Sequence, residues 1–300
     1  VHQSHPHGDN ITRIIAPIEI DVPNIQIDSL LYSYTGYYKQ REKWLYQIIN
    51  PSYIFPNFSH DGKEIVFYNT PRQFTWKAEG NFLFSIFLAD SSQRILLSGG
   101  MHGNWSHNGR YLVFNQVLPL EGVQLSVYDT TTKSIKNFES DGLLNYPISC
   151  FTSDDRYIIA PLLLGKLHHQ LFRIPLAGGE KERLTFDLHN HWYPDCSSDG
   201  KWIVTTDLAS VGKICLYNIK TGTVSHLFPE LKADHKAGSF SPDGKYICYL
   251  RGNEEELTDV FEIYITEFPP NETESIGNRY GKQLTFTGSY KFPYIDWSPD

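Results

Sequence analysis

One phrase recurs along this chain, and its spacing constrains the fold more than any other feature. Each copy has an aromatic residue or a cysteine, a short polar turn with Asp or Asn, and then alternating apolar residues. The Asp or Asn of the turn falls at positions 61, 108, 154, 199, 243 and 300, in steps of 47, 46, 45, 44 and 57 residues. The copies are FSHDGKEIVFY from Phe58, WSHNGRYLVFN from Trp105, FTSDDRYIIAP from Phe151, CSSDGKWIVTT from Cys196, FSPDGKYICYL from Phe240 and the shorter DWSPD from Asp296.

Each copy has the pattern of a β-hairpin. Asp-Gly and Asn-Gly accept the positive φ angles of tight turns, and the alternation that follows, as in Lys245–Leu250, buries every second side chain. Two further strands fit between copies, for example Lys213–Ile219 and Val224–Phe228. Four short strands for each repeat of this length are typical of a propeller blade. We therefore predict an all-β fold, a six-bladed β-propeller of four-stranded antiparallel blades, with residues 1–300 as a single domain.

The repeat resembles that of the TolB-like propeller family, which is related to WD40-like repeats. The family's S-P-D-G-K phrase stands here as Ser241–Lys245 and, in shorter form, as Ser298–Asp300. The resemblance covers nearly the whole chain, and it implies the same propeller fold.

The N-terminal residues are predicted to close the ring. The last copy reaches Asp300, where its hairpin would turn, and Asp9–Pro17 reads like the continuation, since Arg13–Pro17 is similar to Arg156–Pro161. We expect residues 10–50 to complete the last blade with residues 290–300, which would leave no exposed strand edge. Two alternatives stay open: further sequence completes a seventh blade, or the N-terminal strands pair with a neighbouring molecule in a homo-assembly.

Composition excludes several classes of partner. The net charge is −8 and the pI about 5.8, so the chain has no overall positive field for nucleic acid. No apolar run is long enough to span a bilayer.

The four cysteines lack the spacing of a metal-binding motif and are predicted to be buried thiols. One or two disulfides are the alternative in an exported protein. We expect a periplasmic or extracellular location.

Histidines are frequent in the segments that precede the inner strands, where propellers commonly bind ligands at the channel mouth. Neutral imidazole is a common ligand for transition metals, so His189, His191 and His235 are a candidate metal site, with Asp187, Asp195 or Asp234 to complete it. The alternative is that these polar side chains are only solvated. The predicted ligand-binding set at the channel mouth is His102, His189, His191, Trp192, Tyr193, His235, Tyr290 and Tyr294.

Other conspicuous residues are assigned structural roles. The repeated turn Asp is expected to accept backbone hydrogen bonds rather than to catalyse. His60 and His107 lie in hairpin turns, and His168 and His169 lie on a predicted strand. No G-x-S-x-G and no phosphate-binding glycine loop is present, so the sequence lacks signatures of a serine hydrolase or a nucleotide enzyme.

The leading hypothesis is therefore a non-catalytic binding or scaffold propeller that recognises a protein, peptide or glycan. The first alternative is a metal-dependent polysaccharide lyase, because His191–Asp207 followed by Asp234 and His235 resembles the oligogalacturonate lyases. Phe186 stands where that family's Gln-x-x-His-x-His pattern has Gln, which weakens the transfer of the metal site. The second alternative is a structural subunit of a self-assembling extracellular polymer. No cofactor other than a divalent metal is indicated.

Overall fold

All regular structure in the described residues is β-strand. The structure is a computed structural model, and it describes residues 2–4, 11–13, 53–69, 82–87, 89, 93–118, 122–138, 148–164, 168–208, 211–252, 261–269, 280–284 and 295–297. Within these ranges no helix has the length and apolar character needed to cross a membrane. A short antiparallel ribbon pairs β1 (His2–Ser4) with β2 (Ile11–Arg13).

The remaining strands form four-stranded antiparallel sheets, and each sheet begins with the strand that carries one copy of the repeat. Sheet 1 contains β3 (Tyr53–Phe58), β4 (Glu64–Asn69), β5 (Phe82–Phe87) and β6 (Gln93–Ser98). Sheet 2 contains β7 (Gly100–Trp105), β8 (Tyr111–Leu118), β9 (Gly122–Asp129) and β10 (Ile135–Phe138). Sheet 3 contains β11 (Cys150–Phe151), β12 (Tyr157–Leu164), β13 (His168–Pro175) and β14 (Glu182–Arg183).

The last two sheets repeat the same order. Sheet 4 contains β15 (His191–Cys196), β16 (Trp202–Asp207), β17 (Lys213–Asn218) and β18 (Thr223–His226). Sheet 5 contains β19 (His235–Phe240), β20 (Tyr246–Gly252), β21 (Phe261–Glu267) and β22 (Lys282–Gln283). The first strand of each sheet, called here the inner strand, is an edge strand, and in sheets 2 to 5 it contacts the preceding sheet. The predicted all-β architecture of four-stranded antiparallel blades is confirmed.

The hairpin after each inner strand is held by a small network of side chains. In sheet 5, Ser241 Oγ donates to Asp243 Oδ1 at 2.7 Å, and the same carboxylate oxygen accepts from the backbone N–H of Lys245 at 3.1 Å. The φ of Gly244 is +70°, a value that glycine adopts without strain. The predicted structural role of the turn Asp is confirmed. The same Ser or Thr to Asp or Asn bond recurs at Ser59–Asp61, Ser106–Asn108, Thr152–Asp154 and Ser197–Asp199.

The hydrophobic core lies between neighbouring sheets rather than on one face of a single sheet. One cluster joins sheets 1, 2 and 3 through residues such as Leu83, Leu112 and Ile158, all fully buried. A second cluster joins sheets 4 and 5 through Val204 and Tyr249. Burial of such side chains stabilises the fold by about 1.5–3 kcal/mol each.

The predicted closure lies mostly outside the described residues. Of residues 10–50 only β2 is described, and residues 298–300 and 285–294 are not. The count of six blades, the closure by residues 10–50 and the single domain over residues 1–300 therefore stay predictions.

Candidate functional site

A cavity of about 450 Å³ lies where the ends of the inner strands converge. In every copy of the repeat, the residue directly before the closing aromatic or cysteine lines this cavity, and we call this place in the repeat the ring position. The described lining contains residues from all six copies, including Ile295–Trp297 of the last one. The ring-position residues are Asn57, Asn104, Cys150, Asp195, Ser239 and Asp296.

A bulge in the inner strand precedes the ring position. In sheets 1, 2, 4 and 5 the pairing with the next strand shifts just before this residue. The bulge places a residue other than glycine at positive φ: 54° at His102, 52° at Tyr193 and 56° at Ala237. Bulges re-aim the side chains that follow them, and here those side chains line the cavity.

Ring-position side chains bind the backbone of the next copy. Asn57 Oδ1 accepts from the backbone N–H of Trp105 at 2.8 Å, and Asp195 Oδ2 accepts from that of Phe240 at 2.8 Å. An inner strand is an edge strand, so these N–H groups lack a partner within their own sheet. The ring-position side chain supplies the missing acceptor and joins one sheet to the next.

The last copy makes the same bond to the first. Asp296 Oδ2 accepts from the backbone N–H of Phe58 at 2.7 Å and from Asn57 Nδ2 at 3.0 Å. On the other side, Trp297 Nε1 donates to the backbone oxygen of Ser239 at 3.1 Å. Residues 295–297 therefore lie between sheet 5 and sheet 1.

The two ring-position aspartates are half-buried, in an environment that disfavours their charge. Burial raises the pKa of Asp296 to about 8, although the N–H of Phe58 acts in the opposite direction. Burial also raises the pKa of Asp195, against the bonds from Phe240 and Ser239. The negative charge of Asp195 adds to the shift at Asp296, so the two acids disfavour each other's ionisation. None of the described residues that line the cavity is a lysine or an arginine.

The histidines of the predicted ligand-binding set are mostly buried in the blades. His191 and His235 are 0% exposed, and His102 is also buried. His235 Nδ1 accepts from the backbone N–H of Ile214 at 2.9 Å, and His191 Nε2 lies 3.0 Å from Asp187 Oδ1. Burial lowers the pKa of both His102 and His235 to about 3, so these rings are neutral. None of the three lines the cavity.

The aromatic residues of the predicted set are divided between cavity and blade. Tyr193 lines the cavity. Trp192 packs against the ring of His169, with centroids 4.5 Å apart, and its Nε1 donates to Asn190 Oδ1 at 3.1 Å. Trp192 therefore belongs to the contact between sheets 3 and 4. Tyr290 and Tyr294 lie outside the described residues.

The predicted metal ligands do not gather as one group. The structure groups His189 with Asp207 and His226, whose ligand atoms lie within 4.8 Å of one another. His191 and His235 are not part of this group, although the ring of His191 lies 6.0 Å from that of His189. Asp207 ends β16 and His226 ends β18, and the repeat phrase alone did not point to either residue. They could be found only once the pairing of β15 to β18 was known.

The residues assigned structural roles fall as expected, with one addition. His168 and His169 begin β13. His60 and His107 lie in hairpin turns, and both also line the cavity. The Asp155 carboxylate accepts from the backbone N–H of His107 at 2.8 Å and lies 3.3 Å from Nδ1 of the same residue. The contact with Nδ1 raises the pKa of the imidazole.

All four cysteines are buried free thiols, as predicted, and Cys150 Sγ lies 3.4 Å from Cys196 Sγ.

Comparison with known proteins identifies the fold through solved structures only. No protein-family model matches the chain, and no curated protein sequence matches it. TolB from Acinetobacter baumannii aligns with a TM-score of 0.60 and 22% identity over 72% of this chain and 52% of its own. The chain thus spans about half the length of that TolB.

Two further structures support the same fold. A protein from Agrobacterium tumefaciens described as TolB aligns with a TM-score of 0.66 and 15% identity, over 83% of this chain and 87% of its own. An oligogalacturonate lyase in complex with manganese aligns with a TM-score of 0.52 and 16% identity, over 78% of this chain and 65% of its own. The fold is therefore that of a TolB-like β-propeller, as the repeat predicted. At these identities the comparisons establish the fold alone.

Proposed function

We propose that this propeller is a non-catalytic binding module that takes a peptide segment of another protein into the cavity and binds a basic side chain of that segment at Asp195 and Asp296. The observation that carries the proposal is the presence of two half-buried carboxyl groups in one cavity whose described lining contains His107 but no lysine or arginine. Buried charges in proteins are normally paired. A cationic group from a ligand would supply the pair.

The ring position itself shows that these carboxylates exceed what the fold needs. Asn57 accepts the N–H of the next copy with an amide oxygen, at the same 2.8 Å distance that Asp195 reaches with a carboxylate. A neutral amide is therefore sufficient to join two sheets. The acids at Asp195 and Asp296 add a desolvation cost, visible in their raised pKa values, that a purely structural acceptor avoids.

The surroundings of the two acids suit a peptide. The cavity volume falls in the range of about 300–1,000 Å³ that ligand pockets have. The side chains of Tyr193 and Trp297 line it, and aromatic rings attract cations.

The alternatives predicted from the sequence have weaker support. A polyanionic uronate substrate would be disfavoured by the net charge of −8 and by a cavity whose described lining has no lysine or arginine to bind it. A self-assembling polymer depends on N-terminal strands that lie mainly outside the described residues.

The predicted recognition of a glycan stays as an outcome of the test below. The periplasmic or extracellular location stays a prediction, which fractionation of the source cells would test.

The test uses the full chain on an array of decapeptides of randomised sequence and on a glycan array. We expect the bound peptides to be enriched in lysine or arginine, and replacement of that residue by glutamine to weaken binding at least about tenfold. The double variant Asp195→Asn, Asp296→Asn should lose the preference for basic residues. The matched control Asp61→Asn, Asp199→Asn removes the same charge from two exposed hairpin turns and should keep it.

Three results would contradict the proposal. The first is peptide binding without enrichment in basic residues. The second is equal affinity of the ring-position double variant and the wild type. The third is binding of neutral glycans in place of peptides, which would move the function to the carbohydrate class.

A further inference from the structure

Sheet 4 gathers three metal-binding side chains at one of its ends, away from the cavity lining. His189 lies just before β15, Asp207 ends β16 and His226 ends β18. Because neighbouring strands are antiparallel, the start of β15 meets the end of β16, and the start of β17 meets the end of β18. The register shows this directly, since His191 pairs with Asp207, and Cys215 pairs with His226.

The three side chains already contact one another. His189 Nδ1 lies 2.5 Å from Asp207 Oδ2, and the rings of His189 and His226 meet edge to face with centroids 5.1 Å apart. One ligand atom from each residue lies within 4.8 Å of the other two. In a tetrahedral zinc site with bonds of about 2.0–2.1 Å, ligand atoms are separated by about 3.3 Å. Small side-chain rotations therefore bring this group to coordination geometry.

An unsatisfied nitrogen is a second, independent sign of a missing ligand. Nε2 of His226 is buried and has no hydrogen-bond partner among the described residues. A buried polar atom without a partner is rare in native proteins, because its desolvation is not compensated. A bound cation would satisfy it. An imidazole nitrogen is a common ligand of transition metals.

The backbone and neighbouring acids hold the group in place. Asp207 Oδ1 accepts from the backbone N–H of Asn190 at 2.9 Å, which leaves Oδ2 directed at His189. Asp187 Oδ1 accepts from the backbone N–H of His189 at 3.0 Å and also contacts His191 Nε2 at 3.0 Å. Partners of this kind orient metal ligands in known sites.

We propose that His189, Asp207 and His226 bind one divalent transition metal ion, zinc in the first instance, and leave a fourth position open to solvent. Two imidazoles and one carboxylate suit zinc and its first-row neighbours, whereas calcium and magnesium prefer oxygen ligands alone. The His189 side chain is 37% exposed, so the site is accessible from solvent. Three protein ligands with an open fourth position are typical of zinc sites that bind water or a further ligand.

The test is zinc binding by the full chain after treatment with a chelator and dialysis. Competition with a chromophoric chelator should give one zinc per chain, and cobalt should give the visible absorption of a low-coordinate site. His189→Ala and His226→Ala should each weaken zinc binding at least about 100-fold. His168→Ala removes an exposed histidine from β13 and should leave the affinity unchanged.

A fold control keeps the result interpretable. Saturating zinc should raise the Tm of the wild type and of His168→Ala but not that of His189→Ala, whose altered residue lies in a loop. Zinc affinity that is equal in His189→Ala and His168→Ala would overturn the proposal, as would the absence of stoichiometric binding. The ring-position double variant should still bind zinc, so failure of the peptide proposal would not affect this one.

Discussion

The hairpin turns and the ring position both carry aspartates, and the two sets lie in opposite environments. The turn aspartates Asp61, Asp199 and Asp243 are exposed, and hydrogen bonds from a neighbouring side chain and from the backbone lower their pKa. The ring-position aspartates Asp195 and Asp296 are half-buried, and desolvation raises their pKa. Charge on the turn aspartates therefore supports the folded state, whereas charge on the ring-position aspartates opposes it.

In one copy each, the hairpin turn and the ring position have asparagine in place of aspartate, and this shows what the negative charge adds. Asn108 Oδ1 accepts from Ser106 Oγ at 2.9 Å and from the backbone N–H of Arg110 at 2.9 Å, as the aspartates do in other turns. Asn57 replaces aspartate in the ring position with the same hydrogen bond to the next copy. The fold needs an acceptor in both places. A carboxylate that is disfavoured by its surroundings indicates a role beyond the fold.

The largest effect is expected when the ring-position acceptor is removed altogether. Asp195→Ala leaves the backbone N–H groups of Phe240 and Cys196 and the hydroxyl of Ser239 without their acceptor in a buried place. We expect the free energy of unfolding to fall by about 3 kcal/mol, because each orphaned buried donor costs about 1–3 kcal/mol. Urea denaturation at pH 7 measures it. A loss no larger than that of a turn variant would contradict the inter-sheet role of this residue.

An effect of opposite sign is expected when the charge alone is removed. The folded pKa of Asp296 is about 8, above its unfolded value of 3.8, so the folded state retains a proton that the unfolded state has lost. Between these values stability falls as pH rises, by up to about 1.4 kcal/mol for each pH unit. Asp296→Asn keeps an acceptor and should be more stable than the wild type at pH 8, by a margin that grows as the pH rises from 4 to 8.

The comparison at pH 4 is the control for that variant. There both forms of residue 296 are neutral in the folded state, and the two proteins should have nearly the same free energy of unfolding. Urea denaturation at both pH values gives the difference. A variant that is less stable than the wild type at pH 8 would show that the Asp296 charge supports the fold.

The smallest effects are expected in the turns. Asp199→Ala removes an acceptor from Ser197 Oγ and from the backbone N–H of Lys201. We expect a loss of about 1 kcal/mol, since Lys201 is exposed to water and Ser197 Oγ also lies 3.2 Å from the backbone oxygen of Trp202. Asp199→Asn should lose about half of that or less. Thermal unfolding compares the two variants. A loss from Asp199→Ala as large as that from Asp195→Ala would remove the distinction between the two places.

The sequence predicted the fold because the features that define a blade are local. Hairpin turns, alternation and repeat spacing depend on neighbouring residues, so the copies from Phe58 to Phe240 placed every inner strand and its turn. The ring position was also readable, since Asn57, Asp195 and Asp296 put polar groups directly before a closing aromatic or cysteine. Its role required the structure, because each of these side chains bonds to a different copy, 48 residues away for Asn57, 45 for Asp195 and 238 for Asp296.

The candidate sites depended on contacts that the repeat does not encode. Histidines before the inner strands were predicted to reach the channel mouth, but His191 and His235 are buried inside the blades. His226 and Asp207 were missed because only strand pairing brings them to His189. Repetition predicts what all copies share, and the functional residues are those in which one copy differs from the others.

The most direct test is the pKa of Asp296 itself. Carboxyl ¹³C shifts of aspartate-labelled protein, followed by NMR from pH 3 to pH 10, should show this residue titrating near 8 and the turn aspartates below 3.8. The Asp296→Asn variant assigns the signal. Addition of a basic peptide found on the array should lower the Asp296 pKa, because a cation favours the carboxylate. Titration of Asp296 below pH 4 in the free protein would contradict a carboxyl group held buried for a cationic partner.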